Sequence, residues 1–169
     1  MPKPSIAPIE SDQIRLRLLE ESDLPMTMVW RNQEHIRKWF INSAVITQEQ
    51  HRIWYARYCE CDNDFFFIIE DIAILHKPIG QIALYNLDWE ERKAEYGRLL
   101  IGDKTALHRG FARQATRLLL NYAFAQLKMK KIELVVLREN VEAISLYEKC
   151  GFIEVEEING LKKMVILDR

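Results

Sequence analysis

The sequence predicts a mixed α/β (α+β) domain: a mostly antiparallel seven-stranded sheet flanked by helices, with a parallel crossover at one long helix. Three observations predict it. Short runs with strand patterning recur along the chain, from the alternation of Ile14, Leu16 and Leu18 with Arg15 and Arg17 to a buried run at 131–136. An amphipathic stretch over 110–127 separates that run from a strand at 94–101, the distance of one long helix. Near the end, Asn159 and Gly160 sit between two strand-like runs and suit a type I′ hairpin turn.

In chain order, residues 1–11 lack the apolar core of a secretory signal and read as a flexible tail. After the first strand, Ser22 or Asp23 caps a helix that tolerates Pro25 in its first turn and runs towards Asn32. A short helical piece carries Ile36, Trp39 and Phe40. Thr47 and Gln50 then form a capping box that opens a third helix. Strands follow at 65–69 and 78–84, the second reached through a hairpin near 74–77, and then at 94–101. In the long helix, Phe111, Ala115, Leu118, Leu119, Tyr122, Ala123 and Leu127 share one stripe. Asn140 caps a last helix that Gly151 stops, and strands at 152–158 and 161–167 complete the sheet.

Bulk properties narrow the function. The 169 residues form a single domain, 49% hydrophobic and 29% charged, with no linker or repeat to divide them. A net charge of −1 argues against nucleic acid or a membrane surface as partner, so an anionic ligand must be held by local geometry. No apolar run spans a bilayer. Three cysteines, Cys59, Cys61 and Cys150, form no metal-ligand pattern, which points to no metal, no disulfide and a reducing, cytoplasmic setting.

Two stretches carry chemistry. The loop ahead of Gly110 brings backbone N–H groups to the positive end of a long helix, an arrangement that suits an anion, with Gly110 and Ala112 keeping it close. Downstream, Asn140, Ala143, Leu146, Tyr147, Gly151 and Phe152 form an Asn-x-x-Ala-x-x-Leu-Tyr-x-x-x-Gly-Phe pattern. Together these stretches resemble the GCN5-related N-acetyltransferase (GNAT) superfamily, firmly over the second half of the chain. The phosphate loop departs from that family's pattern at Leu107, where Gln or Arg is usual, and at His108.

The resemblance implies a cofactor, acetyl-CoA, and a sheet whose fourth and fifth strands splay apart to hold it. Main-chain groups of Leu99, Leu100 and Ile101 would pair with the pantetheine arm, and Asn140 would cap its helix and reach that arm. Leu107, His108, Arg109, Gly110, Phe111, Ala112 and Arg113 would surround the phosphates. Tyr147 would be the general acid to the departing thiolate, a role suited to a phenol with a pKa near 10. Glu95 is the first candidate for the base that neutralises the amine, ahead of His51, His76 and Asp88. The oxyanion would meet an N–H near Leu99. Cys150 follows the Tyr147 helix and is not read as a nucleophile.

For the acceptor, Trp30, Arg31, Asn32, His51 and Trp54 resemble the subgroup that acetylates UDP-4-amino-4,6-dideoxy sugars: cations would meet a diphosphate and aromatic faces would stack. A protein N-terminal or ribosomal-protein acceptor, or a polyamine or drug, stands as the alternative. A polyamine would want the acids Glu60, Asp62 and Asp64. A non-catalytic CoA-binding module is the reading from another class. Many relatives pair through their C-terminal strands, which leaves room for a homodimer.

Overall fold

The computed structural model describes residues 2–169. The elements are β1 (Ile9–Glu10), β2 (Ile14–Leu18), α1 (Leu24–Asn32), α2 (Glu34–Arg37), α3 (Gln48–Cys59), β3 (Phe65–Asp71), β4 (Lys77–Asp88) and β5 (Lys93–Ile101). After these come α4 (Phe111–Ala125), β6 (Lys131–Leu137), α5 (Val141–Lys149), β7 (Ile153–Ile158) and β8 (Leu161–Leu167). The strands form one eight-stranded sheet in the order β1-β2-β3-β4-β5-β6-β8-β7. Only β5 and β6 run parallel, and α4 makes the crossover between them.

The extra strand is β1. Ile9 pairs with Leu16, Glu10 pairs with Arg15, and the Arg15 guanidinium lies 2.6 Å from the Glu10 carboxylate. Two residues show no period, so a strand this short leaves no trace in a pattern reading. The expected tail over 1–11 therefore contains sheet. Lys3 within it is also placed: its ammonium donates to the Cys61 carbonyl at 2.8 Å and sits 3.8 Å over the Tyr58 ring. Met1 lies outside the described residues.

Local signals set most of the other boundaries. Thr47 accepts from the Gln50 N–H while Gln50 reaches back to the Thr47 N–H, closing the capping box of α3. α4 begins at Phe111, with Gly110 in the left-handed region (φ 81°), and ends at Ala125, short of the predicted 127. There Lys128 turns back (φ 59°) and the Met129 N–H closes on the Ala123 carbonyl. Asn159 and Gly160 both take positive φ, as a I′ turn requires.

α4 buries Phe111, Ala115, Leu119, Leu120 and Ala123 against one face of the sheet, where Ile14, Leu16, Phe65, Phe67, Ile82, Leu84 and Ile132 wait. Each large side chain so buried contributes about 1.5–3 kcal/mol. α1 and α3 cover the opposite face through Leu24 and Tyr58 on Phe66, Ile68 and Ala83.

The feature that matters for function is where this sheet comes apart. β5 and β6 pair only through Lys93/Lys131, Ala94/Ile132 and Glu95/Glu133; beyond that they are no longer partners, although both strands continue. β5 changes partner register at the same place. Ala83 faces Gly97 and Gln81 faces Leu100, so β5 carries an extra residue, and Arg98 takes φ 56°. A bulge bends and twists its strand, here away from β6.

Candidate active site

The opening between β5 and β6 is a cavity of about 480 Å³. Leu99, Leu100 and Ile101 form one wall, Leu134, Val135 and Val136 the other, and Leu107, Ala112, Asn140 and Tyr147 close the end towards α4 and α5. Seven of the residues expected to hold a cofactor thus meet in one space. The geometry fits a narrow chain laid between strands: beyond Glu95, β5 keeps its pairing with β4 on one side and is unpaired with β6 on the other.

Asn140 caps α5 through the Ala143 N–H at 3.3 Å while also facing the cavity. Tyr147 is held edge-on by Tyr96 at 5.5 Å and by Phe152 at 6.0 Å between ring centroids. Burial pushes its phenol well above the ordinary tyrosine value, reinforced by Tyr85 and Cys150, so the proton stays on at neutral pH. Burial likewise raises the Cys150 thiol, which keeps it a poor nucleophile.

The loop before α4 lies at the mouth. His108 (φ 60°) and Gly110 (φ 81°) are both left-handed and curl it ahead of the helix N-terminus, with His108, Arg109, Gly110 and Arg113 exposed around it. Phe111 differs from expectation. Its ring is in the core, so only its backbone can take part.

A second cavity of about 450 Å³ lies on the α1/α3 side. Arg31, His51 and Trp54 line it, together with Thr27, Phe66, Gln81 and Arg98; Arg31, Phe40, Asn42 and Arg98 border both cavities. Two expected acceptor residues are not there. The Trp30 indole packs with Ile36 and Leu100 and occupies the space where a Cβ on Gly102 would sit. Asn32 clips the Ile46 backbone at both ends, donating to its carbonyl and accepting from its N–H at 2.8 Å each. Both are scaffold for the segment that roofs the cavity.

His51 is placed but not as a cation. Its Nε2 meets the Thr27 hydroxyl at 2.9 Å, its ring stacks on Trp54 at 5.6 Å, and burial lowers its pKa. Glu95 belongs to the zipped part of β5/β6, lines neither cavity, and accepts from the Asn86 amide at 3.1 Å. His76 and Asp88 are also outside both linings. The acids considered for a polyamine are absent from the chamber too, and Asp64 is engaged by Arg98 through bonds of 2.7 and 3.0 Å.

Three residues that pattern reading passed over shape the junction. Arg98 sits 4.4 Å over the Tyr85 ring and 5.5 Å over Trp54. Tyr85 reaches the cavity because Gly97 leaves room: a Cβ there would lie 2.6 Å from its hydroxyl. Gln81 is buried and donates to the Arg98 carbonyl at 3.1 Å. Gly97 inside a strand was the available signal, since such a glycine marks a close approach or a bulge.

Comparison with known proteins names the class. The family model for the acetyltransferase (GNAT) domain matches residues 13–153. The chain belongs to that family and is an acetyl-CoA-dependent N-acetyltransferase. It is 30% identical to the spermidine N(1)-acetyltransferase of Vibrio cholerae, over 93% of this chain and 94% of that one. It is 29% identical to an aminoglycoside N(6′)-acetyltransferase type 1 of Klebsiella pneumoniae, over 89% of this chain and 79% of that one. The crystal structure of the Vibrio cholerae spermidine enzyme in complex with CoA and spermine superposes with a TM-score of 0.82 at 29% identity, covering 93% of this chain and 96% of that one. These relatives support the superfamily and not the expected nucleotide-amino-sugar subgroup. The structure supplies a reason for that correction: two of the three residues in Trp30, Arg31 and Asn32 serve the scaffold. Among the described residues, no helix is long and apolar enough to cross a membrane.

Proposed function

We propose that this enzyme acetylates a primary amine of a small molecule, by direct attack of the amine on the thioester at the junction of the two cavities. The observation that carries the reading is the parting of β5 from β6 after Glu95, with Tyr147 at the cavity so formed. Acetyl-CoA supplies an activated acetyl group. Main-chain groups of Leu99, Leu100 and Ile101 align its arm, the curled loop from Leu107 to Ala112 with Arg109 and Arg113 receives its phosphates, and Asn140 fixes the α5 end. An N–H near Leu99 donates to the carbonyl oxygen as the amine nitrogen bonds to carbon and the carbon–sulfur bond breaks. Tyr147 gives its proton to the sulfur, and the amine nitrogen releases one of its own protons to solvent, from which the phenol is reprotonated.

The acceptor enters from the chamber lined by Arg31, His51 and Trp54. Polyamines and aminoglycosides, the amines in the relatives' names, support a small free amine in place of a nucleotide-linked sugar. Glu95 has no path to the chamber along its lining, so we assign it to fixing, through Asn86 (φ 49°), the extra residue that β4 carries where Tyr85 faces Glu95 and Asp88 faces Lys93. Self-assembly is also part of the reading. Strand β7 is an exposed edge carrying Ile153, Val155 and Ile158, and a related spermidine N-acetyltransferase of Vibrio cholerae has a dodecameric structure.

The test is mass spectrometry after incubation with acetyl-CoA and a panel of primary amines. One acetyl increment on an amine, with release of free thiol, is expected. Tight CoA binding with no increment on any amine would overturn transfer to a small primary amine.

A further inference from the structure

We propose that the acceptor carries an anionic group beside its reactive amine, and that Arg31 receives the anion while Gln81 receives the amine. This deepens the amine acetylation proposed above and rests on it. Among the described residues, two buried side-chain atoms find no partner in the protein: Arg31 Nη1 and Gln81 Oε1. Both residues line the same chamber. One is a charged donor and the other an acceptor, so together they are the complement of a ligand that presents an anion and an N–H group.

Each is fixed by its surroundings. Arg31 is 9% exposed, its Nη2 donates to the Asn42 carbonyl, and its guanidinium lies 4.0 Å over Phe40. Among the described residues it has no carboxylate partner, and its guanidinium cannot shed its charge. Gln81 is 3% exposed, and donation of its Nε2 to the Arg98 carbonyl, which takes only donors, leaves Oε1 free to accept. A buried charge or polar atom left unpaired is costly, and a ligand that pairs both recovers that cost on binding.

The rest of the lining agrees. Among the described residues no Asp or Glu lines the chamber, and Arg98 is already neutralised by Asp64. His51 is held to Thr27. The net field is that of one unpaired cation, which repels a polycation and draws an anion. A carboxylate and a phosphate would both satisfy Arg31, the phosphate with more oxygens.

The experiment measures kcat/KM on the wild-type enzyme with acetyl-CoA for propylamine, β-alanine, phosphoethanolamine and spermidine. The expected result is that at least one anionic amine exceeds both propylamine and spermidine by about tenfold or more. Whichever of β-alanine and phosphoethanolamine leads identifies the group. Arg31→Met should lower that ratio by about tenfold, and Arg31→Lys should recover part of it. If the Met variant does not fold, the wild-type ratio alone decides. Propylamine or spermidine matching the anionic amines would overturn the inference. So would an Arg31→Met variant that depresses all amines alike while raising the KM for acetyl-CoA, which would assign Arg31 to the cofactor. Should no amine be acetylated, the proposed reaction fails, and calorimetric Kd values of the same amines for the CoA-saturated protein read the ratio instead. Anionic amines binding no tighter than propylamine would then refute the anion site.

Discussion

The two cavities flank the same strand and are built on opposite principles. The wedge between β5 and β6 is set by backbone features: strands that stop pairing, a helix N-terminus and a capped α5, with Tyr147, the proposed acid, at the cavity. The chamber under α1 and α3 is made of side chains, among them Arg31, Gln81, Trp54 and Arg98, whose meeting depends on packing between distant parts of the chain. A binding site made of backbone tolerates sequence change; one made of side chains changes its ligand when they change. That difference lets a chain 30% identical to a spermidine enzyme keep the family's fold while its own chamber is lined by no acid among the described residues.

The largest effect that would sharpen this contrast belongs to the wedge's active side chain. Tyr147→Phe should lower kcat by about 100-fold or more and leave the KM for acetyl-CoA within a few-fold. Because burial raises the Tyr147 phenol, its acid form persists as pH rises. Turnover should climb as the amine loses its proton and should not fall until above about pH 10. A decline setting in near pH 8 would point to another acid.

Next comes a direct pairing of the two sites. Trp54→Leu removes the stack under His51 and should raise the acceptor KM by about tenfold with little change for acetyl-CoA. Leu99→Ala, in the wedge, should alter the acetyl-CoA KM by less than about threefold, since in the proposed arrangement the strand's main chain would make the contact. Equal sensitivity at both positions would break the comparison.

Gly110→Ala tests the loop. Nothing lies within 4 Å of the added Cβ, so the cost is the left-handed backbone alone, about 1–2 kcal/mol, read as reduced stability or a several-fold rise in the acetyl-CoA KM. The smallest effect is expected at Glu95. Glu95→Gln should reduce kcat by less than about threefold, whereas a loss near 100-fold would restore it as the base.

How much was legible in the sequence follows the same division. The wedge announces itself through local rules: Asn140 three residues before the N–H it caps, Gly110 where φ must be positive, and a helix of the length that joins parallel strands. Seven strands could be read, and β1 escaped because two residues carry no pattern. The chamber left no such trace. Arg31 could be suspected but not separated from Trp30 and Asn32, whose neighbouring positions send them into core and clip. Gln81 and Tyr85 looked like ordinary strand residues until the bulge at Arg98 and the bare Gly97 opened space for them. Tertiary packing chose among them, and adjacency in sequence said little about it.

The central claim is that an arm of the cofactor takes the place of β6 alongside the outer half of β5. Backbone hydrogen exchange with and without CoA measures this most directly. Slowed exchange should concentrate at 97–101, at the loop 107–112 and at Asn140, with the already paired 93–95 unchanged. Saturating CoA that leaves 97–101 exchanging as in the free protein would contradict it.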